Sequence, residues 1–214
     1  MKGNIKKLAV FVMIAAITMF IVVGIASADD DTGKKSIHGE YAVTAGMSCI
    51  YTPAALGFNN KLQTDPTAVG SNKITLQGIA TFNHNGTGKF DSTGVEIDPP
   101  PVLPIPGALP CANAFHFSFT FTYNVADDDT ITINADTNSF TVTYDTGPIT
   151  GVTFTADKYS LSGMVSADHK TLTLGPPTTL IQTSTFRLPP PASTIILVLK
   201  MICNGSYVFT RLDQ

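Results

Sequence analysis

The sequence predicts an all-β fold: an antiparallel, mostly up-and-down barrel of about 8–10 strands with proline-rich loop excursions, preceded by an N-terminal signal helix. Three observations carry this expectation. Residues 114–125 alternate with a period of two without exception: Phe115, Phe117, Phe119, Phe121 and Tyr123 fall on one face, and His116, Ser118, Thr120 and Thr122 on the other. No segment beyond residue 28 has helical period or length. Turn residues recur at short, regular intervals, and adjacent hairpins favour an up-and-down order.

The chain opens as an export signal. Lys2, Lys6 and Lys7 precede residues 8–25, which are apolar apart from Thr18 and Gly24. Ala26-Ser27-Ala28 fits the small-residue cleavage pattern, and Asp29-Asp30-Asp31 follows at once. The domain reading is a signal peptide over 1–28, a disordered mature start over 29–36, and one β-barrel domain over 37–214. An uncleaved anchor is the competing reading, since the apolar run of about 18 residues is near the lower limit for a span. With the signal cleaved, no stable membrane span is expected. The location is then outside the cytoplasm: periplasmic, extracellular or at the cell surface.

Residues 37–50 read as a first strand, and the Pro- and Gly-bearing stretch 52–72 as a long loop with a short helical turn near Ala54-Ala55-Leu56. Residues 73–83 place Ile74, Leu76, Gly78, Ala80 and Phe82 on one face. Asn85-Gly86 then supplies the positive φ of a tight hairpin, and residues 87–97 return. Residues 98–110 hold six prolines, which cannot donate to a ladder, so they read as an excursion. The aromatic strand follows, and Asp127-Asp128-Asp129 turns it. Short strands are expected at 130–134, 139–144, 152–155, 159–165, 171–174 and 182–188. Residues 194–203 and 206–212 read as a terminal hairpin across Asn204-Gly205.

Charge excludes one class of partner. Without residues 1–28, ten of the 13 basic residues remain against all 16 acidic ones, a net charge of −6. No stretch concentrates Lys or Arg, so nucleic acid is not an expected partner. The sequence does not indicate an oligomeric state.

Three cysteines, Cys49, Cys111 and Cys203, suit an oxidising compartment and leave one thiol over. No Cys-x-x-Cys or paired His spacing suggests zinc, and no cofactor or metal is expected. In a closed barrel the first strand neighbours the last, which points to a Cys49–Cys203 bridge. Cys49–Cys111 and then Cys111–Cys203 remain as alternatives.

Gly39-Glu40-Tyr41 opens the first strand, Arg211 lies on the last, and hairpins run between them. In these features the chain resembles exported bacterial lipocalin-like or allene-oxide-cyclase-like barrel proteins. The resemblance implies a closed barrel, an internal pocket, and a basic side chain packed over the N-terminal aromatic.

Candidate sites follow from the side chains. Phe115, Phe117, Phe119, Phe121 and Tyr123 could line a cavity for a small apolar ligand, or form an ordinary core. Asp127, Asp128, Asp129, Asn134 and Asp136 offer hard oxygens to calcium, but their spacing fits solvated turns better. His38, His84, His116 and His169 are scattered. A general acid–base role for His116 with Glu40 or Glu96 has no supporting motif, and no catalytic residue is assigned. Asn85-Gly86-Thr87 and Asn204-Gly205-Ser206 match glycosylation acceptors but are explained as turns.

The leading functional expectation is an exported soluble barrel binding a small apolar ligand. The alternative is a structural or adhesive surface module without one. A small outer-membrane barrel and a cyclase- or isomerase-like enzyme rank below both.

Overall fold

The computed structural model describes residues 37–99, 111–177 and 179–212. The expected signal peptide and disordered start, and most of the expected proline excursion, lie outside these residues. Eleven antiparallel strands form one sheet: β1 Gly39–Pro53, β2 Gly70–Phe82, β3 Thr87–Asp98, β4 Cys111–Val125, β5 Thr130–Ala135, β6 Thr141–Thr146, β7 Thr153–Ala156, β8 Ser160–Val165, β9 Thr171–Gly175, β10 Gln182–Arg187 and β11 Ile195–Arg211. Their order is β1-β2-β3-β4-β5-β8-β9-β11-β10-β7-β6, with further pairings β1–β11 and β4–β6.

The expected up-and-down barrel of 8–10 strands is corrected by this topology. The sheet forks twice. β4 pairs with β6 through residues 114–118 and with β5 through residues 121–125, while β3 runs along its other edge. β11 pairs with β10 through residues 195–201 and with β9 through residues 207–210, while β1 covers its other edge. The reason is length. Strands of 15 and 17 residues span roughly 50 Å or more at about 3.3 Å per residue. Partners of five or six residues cannot satisfy such an edge, so each long strand takes two in series. The chain leaves β5 to build β6 and β7 on one branch and returns with β8 to the other.

The terminal hairpin is corrected for the same reason. β11 runs unbroken through Asn204-Gly205, and Gly205 lies opposite Met47 of β1. A β-carbon on Gly205 would sit 2.3 Å from the Gly46 carbonyl oxygen, so the glycine permits close strand approach and makes no turn. Asn85-Gly86, by contrast, is the tight turn it reads as: Gly86 has φ +79°, and the Asn83 N–H donates to the Thr87 carbonyl.

Inward residues follow the strand period. On β2, Leu76, Ala80 and Phe82 are buried while Lys73, Thr75 and Gln77 are exposed. Rings from β4, β3 and β11 pack with Phe140 and Tyr159 into one aromatic core. Phe90 lies 5.2 Å from Phe119, and Phe119 lies 5.4 Å from Tyr159. Gly88 and Gly94 of β3 lie opposite Phe121 and Phe115, and a β-carbon on either would collide with the facing ring. A smaller cluster gathers Leu199 and Met201 about Cys49.

The first and last strands meet. Tyr41 pairs directly with Arg211, and the Tyr41 hydroxyl donates to the His169 carbonyl at 2.8 Å. Cys49 and Cys203 are also directly opposite, with α-carbons 4.0 Å apart, and form a disulfide. It joins residues 154 apart, and Cys111 is the free thiol.

Candidate functional site

The sheet interior holds a cavity of about 170 Å³. One wall comes from β1, β2 and β3, the opposite wall from β6, β7 and β10, and the long strands β4 and β11 close the sides. Ile74, Leu76, Val142, Phe154, Phe186 and Met201 give it an apolar body. The disulfide cysteines also border it.

One end is polar, and β3 sets this. Phe90 faces the core, so alternation turns Glu96 and Asp98 inward and leaves Val95 and Ile97 exposed. Glu96 is buried, at 7% exposure. Its carboxyl accepts the Tyr144 hydroxyl at 2.5 Å and the Asn72 side-chain amide. Burial pushes this carboxyl up to about 7, with the Asp98 charge adding to the shift and the two hydrogen bonds opposing it. Burial likewise raises Asp98, whose carboxylate accepts a weak hydrogen bond from the Cys111 thiol at 3.6 Å. Tyr51 is pushed up to about 12, by burial first and then by Asp98 and Glu96. The Asn72 Oδ1 is buried without a partner.

A second buried polar contact lines the same space. The Tyr159 and Tyr207 hydroxyls share a hydrogen bond, and Tyr207 also meets the Met47 sulfur at 2.9 Å. Burial raises both phenols, so both remain neutral.

The aromatic stripe divides. Phe115 and Phe117 reach the cavity. Phe119 and Phe121 lie in the aromatic core, and Tyr123 donates to the Ile37 carbonyl at 2.6 Å at its edge. Phe117, Phe119 and Phe121 are 3%, 4% and 1% exposed, so the stripe points inward and the threonines of β4 face outward. This is opposite to the apolar-out pattern of a membrane barrel.

The histidines do not assemble a site. His116 lies on the outer face, 2.8 Å from Asp145 and turned away from Glu96. His38 stacks on His84 with ring centroids 4.1 Å apart. Burial, then His84 and Arg211, lower the His38 pKa. His169 occupies a turn at φ +57°. In the Asp127–Asp129 turn, Asp128 accepts the Thr130 N–H at 3.0 Å. Among the described residues no group of three or more His, Cys, Asp or Glu is placed to hold a metal ion. Among them, too, no helix is long and apolar enough to cross a membrane.

The Glu96 corner is what a motif search misses. Its signal is a break in parity: in the sequence Gly94-Val95-Glu96-Ile97-Asp98 the apolar residues occupy the face opposite to Phe90. Counting from the Asn85-Gly86 turn turns both acids inward.

A scan against protein-family models finds no match for this chain, and neither does a search of curated proteins. The resemblance to lipocalin-like and allene-oxide-cyclase-like proteins is corrected accordingly, because no relationship supports it and the forked sheet is not the closed barrel it implied. The fold and its interior define a disulfide-bonded all-β domain with a buried aromatic cluster.

Proposed function

We propose that this chain is an exported structural module, acting outside the cytoplasm through its surface and not through chemistry at a catalytic centre. The observation that carries this reading is the strapping of β1 to β11. These strands pair over 13 residues and are cross-linked by Cys49–Cys203, which ties both ends of the domain into one ladder. A structural disulfide persists in an oxidising compartment, which agrees with the export signal at residues 1–28. The aromatic stripe supports the same reading, since Phe119 and Phe121 are taken up in a packed core. The outer face of β4 carries Ser and Thr, as suits a module in contact with water.

Production of the full chain with a C-terminal epitope tests the proposal. The expected product is a disulfide-bonded protein beginning at Asp29, recovered outside the cytoplasm. Recovery inside the cell with residues 1–28 intact and both cysteines reduced would refute it.

A further inference from the structure

The Glu96 corner has an imbalance of hydrogen-bonding groups. Glu96 accepts two hydrogen bonds, although an ionised carboxylate has about four lone-pair sites. The Asn72 Oδ1, on a side chain 3% exposed that also lines the cavity, accepts none. Asp98, on the same wall, adds a second acid. The unused valences of the Glu96 carboxylate and of the Asn72 Oδ1 are both acceptors. The groups facing Glu96 are Asn72 from β2, Asp98 from β3, Tyr144 from β6 and Tyr51 from β1, with Cys111 of β4 against Asp98. None of them is a cation. Buried carboxylates are ordinarily paired, and no side chain acting on this one supplies the partner.

The rest of the cavity specifies what could. Its walls are apolar and its volume is about 170 Å³. An apolar cavity of about 150 Å³ accepts benzene, so the space suits a single six-membered ring with a one-carbon arm. Its lining includes half-buried Asp98 and Leu197, which is 43% exposed.

We propose that this cavity is a binding site for a small primary amine with an apolar body, the ring lying among Ile74, Leu76, Val142 and Phe154 and the ammonium group donating to the Glu96 carboxylate and the Asn72 Oδ1. An ammonium brings three donors and one positive charge, which matches the deficit. An alcohol offers the carboxylate one O–H and no charge, whereas the ammonium adds a positive charge and two further donors, so the amine is selected over an isosteric alcohol. The site is independent of the structural role proposed above, since a module can carry a ligand and either assignment can fail alone.

A matched ligand series tests this with the purified protein: benzylamine, benzyl alcohol, toluene and benzoate, titrated calorimetrically at pH 5 and pH 8. Benzylamine is expected to bind at pH 8 about tenfold or more tighter than benzyl alcohol and toluene, with benzoate excluded. Its affinity is expected to weaken at pH 5, where Glu96 carries a proton. In Glu96→Gln the preference for the amine should vanish while toluene binding persists, and thermal melting confirms that the variant is folded. Equal binding of amine, alcohol and toluene by the wild-type protein overturns the proposal without reference to any variant. So does the absence of benzylamine binding at millimolar concentration, or an unchanged amine preference in Glu96→Gln.

Discussion

Replacing Glu96 by Gln should remove a specific pH dependence from the stability of this domain. Glu96 titrates near 7 in the folded protein, against 4.5 for an unperturbed glutamate. Below pH 4.5 the group is protonated in both states. As pH rises from 4.5 to 7, the unfolded chain releases the proton while the folded chain keeps it. The folded state then binds more protons, so stability falls with pH across this window and levels off above it. At 1.36 kcal/mol per pKa unit, the change amounts to about 3 kcal/mol. Asp98, also raised, acts in the same direction. Asp65, Asp128 and Asp168 are lowered by their turn hydrogen bonds and act below this window. His38, lowered from 6.5, acts in the opposite sense within it. Gln is isosteric, cannot ionise, and keeps partners for Tyr144 and Asn72. Urea unfolding of wild type and Glu96→Gln from pH 4.5 to 8 isolates the single group by difference. The two proteins should agree near pH 4.5, and the variant should be the more stable by about 3 kcal/mol at pH 8. Parallel curves across the whole range would show that Glu96 is not buried as described.

Three further outcomes follow from the packing. Phe119→Ala removes a ring flanked by Phe90, Phe117, Phe121 and Tyr159, and denaturant titration should show a loss of about 3–5 kcal/mol; a near-neutral result would mean the ring is not core. The double variant Cys49→Ala, Cys203→Ala opens a cross-link over 154 residues, worth about 5 kcal/mol in the chain-entropy model. Its melting temperature should match that of reduced wild type, and equal stability of oxidised and reduced wild type would count against the bridge. Gly205→Ala forces a β-carbon onto the Gly46 carbonyl and should cost roughly 1–3 kcal/mol in urea unfolding, with no loss expected if residue 205 were open to solvent.

Much of the strand inventory is legible in the chain because burial on one face writes a period of two. The aromatic strand shows this most plainly: its phenyl rings cannot remain in water, so their parity declares the inward face before any partner is known. Asn85-Gly86 is legible because its turn geometry is local. Asn204-Gly205 carries the same letters and is a strand, because the neighbouring backbone of β1 decides what that glycine does. Local composition cannot distinguish a glycine needed for positive φ from one needed for close approach.

The sequence by itself determined which residues face inward along β2 and β4, where the tight β2–β3 turn falls, and that Cys49 and Cys203 were the first choice among three pairings. Those properties depend on near neighbours, or on first and last strands being adjacent. The tertiary structure alone decided that β4 and β11 each serve two partners, that the sheet forks instead of closing as one barrel, and that Glu96 meets Tyr144 from 48 residues away. Edge pairing is a competition among strands distant in sequence, settled by length and register across the whole sheet. A buried carboxyl becomes a distinctive site only when that competition has placed donors, a second acid and an apolar cavity around it.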